Sequence, residues 1–154
     1  MRWLSVLLMS CLALPAGAVP AVATTARSSA SAATADPWID AQLADLNRYA
    51  RRYRATFDDE LARYQGAPRE LIEELRRAGW SDGDIYAACL IARTSGRPCR
   101  DLVGVWAADR TQHWEAVATR FGVAPGSNAM ERMKLAIKAT YQRSGRPLAP
   151  LKTG

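Results

Sequence analysis

The sequence predicts an all-α protein: a compact bundle of six or seven mostly short helices, with a longer first helix. Three observations carry this prediction. Nowhere do β-branched and aromatic residues alternate over five or more positions, as a strand would require. Apolar residues recur instead at three- and four-residue spacings. The segments marked in this way are separated by Gly, Pro and Ser at positions that end one helix and begin the next. With 154 residues, 49% hydrophobic and 23% charged, the chain has the size and composition of one folded domain, expected here over residues 36–144.

The first helix opens at Asp36-Pro37, a cap followed by a first-turn proline. Ile39, Leu43, Leu46, Ala50, Tyr53, Phe57, Leu61 and Tyr64 then share one face, and Asp40, Asp45, Arg48, Arg51, Arg52 and Arg54 take the other. The segment reads as one long helix, or as two with a joint near Thr56-Phe57. Tyr49, Tyr53, Phe57 and Tyr64 form an aromatic stripe that helical spacing assigns to core packing. Pro68 opens the next helix, "PRELIEELRRAG", with acids before arginines, as the helix dipole favours, and with Gly79 placed to end it.

Ser81 and Asp84 resemble a capping box for "DIYAACLIARTS". That helix is apolar along Ile85, Ala88, Cys89 and Ala92 and is the expected centre of the core. After Gly96, Pro98 starts "PCRDLVGVWAAD", which buries Leu102, Val105 and Trp106. A cap at Asp109 or Thr111 is expected to start a helix with Trp114, Val117, Ala118 and Phe121 on one side. Ser127 caps the last helix, "NAMERMKLAIKATYQR", with Met130, Met133, Ile137 and Tyr141 inward. Residues 145–154, containing Gly145, Pro147 and Pro150, read as a flexible tail.

Two connections share a form. "GWSDGD" (Gly79 to Asp84) and "GVAPGS" (Gly122 to Ser127) both read glycine, apolar residue, two residues, glycine, cap residue. The joint residues are Gly79, Ser81 and Asp84 in one, and Gly122, Pro125, Gly126 and Ser127 in the other. In each, the first glycine ends a helix in the left-handed conformation, the apolar residue folds back, and the last residue caps the next helix.

The N-terminus belongs to a different class of sequence. Arg2 precedes the apolar run "WLSVLLMSCLAL", which Pro15 and Gly17 end, and no acid occurs before Asp36. This is the pattern of a secretory signal peptide over residues 1–23, with small-residue cleavage sites after Ala18, Ala23 and Ala32. An uncleaved anchor would need a spanning helix of about 20 residues running through two prolines and a glycine. "LMSC" resembles a lipobox only loosely, with apolar residues continuing past Cys11. Residues 24–35, small, polar and without periodicity, read as a disordered leader. The mature protein is therefore expected in the periplasm or secreted, with no stable membrane span.

Export leaves two cysteines, Cys89 and Cys99, ten residues apart around a turn. They are candidates for a disulfide across a helical hairpin. The alternative is a pair of buried thiols acting as small hydrophobes.

Charge is concentrated at one end. The whole chain carries +6, and loss of Arg2 and Arg27 leaves +4 from residue 33 onward. Arg132, Lys134, Lys138, Arg143, Arg146 and Lys152 against Glu131 alone give the last segment +5. Arg132, Lys134 and Lys138 form a candidate face for an anionic envelope component or an envelope protein; the alternative is a solvated helix face.

"HWEAVATRFGVAPGS" has the Ala118–Gly122 spacing of a DNA-binding helix-turn-helix, and a basic helix follows it. Asn128 and Glu131 occupy slots where that motif needs apolar residues, and an exported protein meets no operator. Nucleic-acid binding is therefore the alternative, tied to the N-terminus not being a signal. His113, the single histidine, has no serine or cysteine nucleophile near it in sequence. "FDDE" (Phe57 to Glu60) reads as an acidic cluster on an exposed face without the spacing of a calcium loop. No metal ligand set, cofactor motif or catalytic residue is singled out; an enzyme with an unrecognised site is a second alternative.

"GWSDGDIYAACLIARTSGRPCRDLV" followed by "HWEAVATRFGVAPGS" resembles a group of small exported bacterial proteins of uncharacterised function. In these a Gly-Trp-x-x-Gly-Asp joint precedes an apolar helix, and a Trp-x-x-x-Ala-x-x-x-Gly-x-x-Pro-Gly-Ser segment follows. The resemblance spans roughly residues 57 to 140 and implies an all-helical fold and an envelope location. It implies no activity. The sequence thus leads to an exported, non-catalytic binding or structural module of the cell envelope.

Overall fold

A computed structural model describes residues 33–151. The segment expected to be a signal peptide, the expected cleavage sites, Cys11, Lys152 and the expected leader up to residue 32 lie outside the described residues. Seven helices occur among the described residues and no strand: α1 Pro37–Arg52, α2 Arg54–Tyr64, α3 Arg69–Arg77, α4 Asp82–Thr94, α5 Cys99–Ala108, α6 Trp114–Arg120 and α7 Asn128–Arg143. None of these is long and apolar enough to cross a membrane.

The helix with the apolar run Ile85 to Ala92 takes the centre. Every residue of α4 from Asp82 to Ala92 is buried, and α1, α3, α5 and α7 pack against it. Such burial all round is what a helix without a polar face requires. The other helices each bury one stripe: Ile39, Leu43, Leu46 and Ala50 from α1; Leu71, Ile72 and Leu75 from α3; Met130, Met133, Ile137 and Tyr141 from α7. Cys89 and Cys99 form a disulfide that closes the α4–α5 hairpin, with their Cα atoms 4.4 Å apart.

The first helical segment divides three residues earlier than expected. Tyr53, at φ −126° and ψ 52°, separates α1 from α2. As a result α1 has 16 residues and is no longer than α7. The break also changes which aromatics are inside. Phe57 is in the core, but Tyr53 is 47% and Tyr64 40% exposed, and Tyr49 is half-buried. A stripe read at constant helical phase does not survive a residue that leaves the helix.

The joints are alike in their first half only. Gly79 and Gly122 both have positive φ, and Trp80 N–H to Leu75 O and Val123 N–H to Ala118 O close the same ring at the helix end. Trp80 and Val123 fold back and are buried. Gly96 and Gly145 repeat the pattern after α4 and α7, through Arg97 N–H to Ala92 O and Arg146 N–H to Tyr141 O. The second halves differ. Gly126, with positive φ after Pro125, makes a turn into Ser127, whose hydroxyl caps α7 through Met130 N–H. In the other joint Ser81, not the last residue, is the cap, through Asp84 N–H. Gly83 lies inside α4, where a Cβ would stand 2.9 Å from Leu43 O of α1.

Helix α6 begins at Trp114, with His113 at its cap position, rather than near Asp109. The Asp109 carboxylate accepts from the Thr111 N–H and hydroxyl, which holds the chain in a turn instead of a helix. From this turn Arg110 reaches over the Trp80 and Trp106 rings and bonds the carbonyls that end α3. Trp106 stacks on Trp114 at 4.8 Å, which completes a three-tryptophan cluster.

"FDDE" is half-buried rather than exposed, and each acid goes to a different arginine. Asp58 pairs with Arg76, which also holds Asp82 at the start of α4. Asp59 pairs with Arg69, and Glu60 with Arg143. Three successive carboxylates on α2 thereby engage α3 and α7. The chain after α7 lies along α1, where the buried Gln42 amide accepts from Ala149 N–H at 2.8 Å and donates to Ala149 O at 2.9 Å.

Candidate functional site

Where α2 departs from α1 at Tyr53, a cleft of about 270 Å³ forms between α1, α2 and the end of α7. Leu46 and Phe57 supply buried apolar atoms to it. Tyr49 and Tyr64 supply rings, and Arg63, Arg143 and Arg146 supply guanidinium groups. Glu60 and Asp59 are the acids of the lining.

The arginines are held flat. Arg143 lies 3.9 Å over the Tyr64 ring, and Arg146 lies 4.0 Å over Tyr49 and 4.9 Å over Tyr141. A cation over an aromatic face gains from the ring quadrupole and loses freedom to reorient. Arg143 donates from Nε to Glu60 Oε2 at 3.0 Å and from Nη2 to Glu60 Oε1. The Glu60 hydrogen bond raises the Arg143 pKa above its ordinary value, so the side chain is a permanent cation. Arg146 pairs through Nη2 with Asp45, and its Nη1, packed between tyrosine faces, is buried without a partner. Arg63 is exposed and forms no ion pair among the described residues.

A directed hydrogen-bond chain links this cleft to the core. Thr140 Oγ1 donates to Glu60 Oε1 at 2.7 Å, and Tyr86 OH lies 2.7 Å from Thr140 Oγ1. Since the threonine proton goes to the carboxylate, Tyr86 must donate to Thr140, and Gln65 Nε2 in turn donates to Tyr86 OH at 3.4 Å. Burial, above all, raises the Tyr86 pKa beyond the ordinary phenol range, which keeps that proton in place. The chain orients Glu60, which in turn orients Arg143. Burial, followed by the Asp45 carboxylate, raises the Tyr141 pKa likewise, and its hydroxyl donates to Asp45 at 2.8 Å. What results is a preorganised cationic and aromatic cleft. Fixed cations beside aromatic faces are suited to hold an anionic group.

The residues singled out in the sequence lie elsewhere. Lys134 forms ion pairs with Asp36, at 2.7 Å, and with Glu131, at 3.2 Å. Lys138 stands 5.8 Å from the Trp38 ring centroid. Both therefore reach from α7 to the start of α1; Arg132 and Lys138 are exposed, and neither forms an ion pair among the described residues. His113 is exposed. In the "HWEAVATRFGVAPGS" stretch, α7 packs mainly on α4 rather than back on α6.

The cleft residues were within reach of one signal, the basic C-terminal end that contains Arg143 and Arg146. Helical periodicity places Tyr49 and Tyr64 in the core, whereas Tyr49 is half-buried and Tyr64 exposed. Glu60 and Arg143 are 83 positions apart, and no local pattern joins them. No family model, curated protein or solved structure matches the chain.

Proposed function

We propose that this chain is an exported protein of the cell envelope, periplasmic or secreted, that acts by binding rather than catalysis. Its binding face is the α1/α2/α7 cleft, and its partner presents an anionic group. The observation that carries this reading is the pairing of stacked, oriented arginines with an unpaired Arg63 at one cleft. The signal-like N-terminus supports export, as does the resemblance to small exported helical proteins. The Cys89–Cys99 disulfide agrees with an oxidising compartment. Lys134 is less suited to an anionic partner, since its charge is engaged within the fold by Asp36 and Glu131.

Cell fractionation with N-terminal sequencing and intact-mass measurement tests the location. The expected result is a processed chain outside the cytoplasm, beginning between residues 19 and 33 and two hydrogens lighter than its reduced form. A full-length cytoplasmic chain with free thiols would overturn the export reading and restore nucleic-acid binding as the leading alternative.

A further inference from the structure

We infer that the α1/α2/α7 cleft takes a small amphipathic carboxylate, its anionic end on Arg63 and Arg143 and its apolar body against the Tyr49 and Tyr64 rings. The inference rests on the reading of this cleft as the binding face and names the ligand class.

Charge sets the valence of the ligand. Three arginines and two carboxylates line the cleft. Asp59 is matched by Arg69, Glu60 by Arg143, and Arg146 by Asp45. The positive charge of Arg63 is left over, and it matches a monoanion. A phosphate dianion would bring a second negative charge beside Glu60 and Asp59 with no cation to meet it.

Donor geometry selects a carboxylate. Arg143 spends Nε and Nη2 on Glu60, and no hydrogen bond occupies its Nη1. Arg63 has its whole planar fork free of ion pairs, and a guanidinium fork matches the two coplanar oxygens of a carboxylate. Glu60 does not repel the ligand at full strength, because Arg143 compensates its charge and Thr140 donates a hydrogen bond to it. Arg143 cannot swing away to follow a poorer fit, since Tyr64 lies beneath it and Glu60 holds its edge.

Size and ring surface set the body of the ligand. About 270 Å³ lies just below the range of roughly 300–1,000 Å³ found for drug-sized ligands, so the occupant is smaller than these. The half-buried Tyr49 and the exposed Tyr64 offer it ring surface, so a bare inorganic anion would leave that surface unused. A short acyl or aryl acid uses both ends.

The test is an NMR titration of the mature, disulfide-bonded domain with hexanoate, phenylacetate, hexanamide and inorganic phosphate. Expected are saturable shifts at Phe57, Arg63 and Tyr64 with both carboxylates, and binding at least about tenfold weaker for the amide and for phosphate. Arg63→Gln, at an exposed side chain outside the fold's ion pairs, should weaken carboxylate binding at least about tenfold, while Arg132→Gln on α7 should not change it. Equal binding of hexanamide, or an unchanged affinity in Arg63→Gln, overturns the inference. Arg63-dependent binding of phosphate without carboxylates overturns the ligand class and keeps the cleft as the binding face. Absence of any saturable shift at the cleft with all four probes overturns both.

Discussion

The indole Nε1 of Trp114 donates a 2.9 Å hydrogen bond to Asp84 Oδ1. The two residues are 30 positions apart, and each belongs to one of the two stretches that stand out in the sequence, "GWSDGD" and "HWEAVATRFGVAPGS". Asp84 also receives the Ser81 hydroxyl on Oδ2 while its own N–H bonds Ser81 Oγ. A single buried carboxylate therefore ties the start of α4 to the first residue of α6.

Trp114→Phe should remove that donor while leaving a ring to stack on Trp106. A hydrogen bond to a buried charged group is worth about 1.5–3 kcal/mol, and the expected loss of stability is of that size or slightly larger, because the indole is also the bigger apolar surface. Chemical denaturation of Trp114→Phe, Asp84→Ala and the double variant forms a cycle that isolates the pair. Coupling above about 1 kcal/mol is expected; additive losses would mean that the bond contributes little and that Trp114 acts through packing alone.

Gly83→Ala and Gly104→Ala should move stability in opposite directions. Both glycines lie inside helices, where alanine is intrinsically better by about 0.5–1 kcal/mol. At Gly104 an added Cβ meets nothing within 4 Å, and the intrinsic gain should appear in full. At Gly83 the same atom would sit 2.9 Å from Leu43 O and 3.4 Å from Asn47 Cβ, so α1 and α4 must part. Overpacking of this kind costs about 1–3 kcal/mol, which outweighs the gain. Thermal melts decide it: a stabilised Gly83→Ala would show that the α1–α4 contact yields without cost.

Gly83 also marks where the sequence was legible and where it was not. The central helix could be read because a run such as Ile85 to Ala92 has no polar face to put in water. The helix ends could be read because left-handed glycine followed by an apolar residue is a local device, and Gly79-Trp80 and Gly122-Val123 both use it. Gly83 looked like part of the same device, yet its reason is the backbone of α1, some 40 residues earlier. The cleft was hidden in the same way. Periodicity put Tyr49, Tyr53 and Tyr64 on one buried face, which assumes unbroken helical phase, and Tyr53 breaks it. The partners of the Tyr64 and Tyr49 rings, Arg143 and Arg146, come from the far end of the chain. Lys134 and Lys138 show the converse: a basic face in sequence whose charges meet Asp36 and Trp38 in space.

The Lys134–Asp36 pair predicts how stability follows pH. Burial pushes the Asp36 carboxyl up, but the Lys134 ammonium and the backbone N–H groups of Ile39 and Trp38 outweigh it, and its pKa falls below 3.8. Asp36 therefore contributes stability that is present above the pKa of the unfolded chain and is lost as pH drops through the folded value, that is, below about pH 4. The Lys134 pKa is raised above 10.5, first by its hydrogen bond to Asp36 and then by that to Glu131, so its contribution is complete below that pH and fades as the solution becomes more alkaline. Asp36→Asn separates the pair from the cap, because an asparagine oxygen can still accept from Trp38 N–H and Ile39 N–H. The variant should be less stable than the parent by about 0.5–1 kcal/mol between roughly pH 5 and 10, with the two curves converging below about pH 4 and again above about pH 10.5. Denaturation at a series of pH values in low salt measures the gap. A gap that stays constant down to pH 2 would mean that Asp36 acts through the cap alone and that the ammonium of Lys134 adds nothing to it.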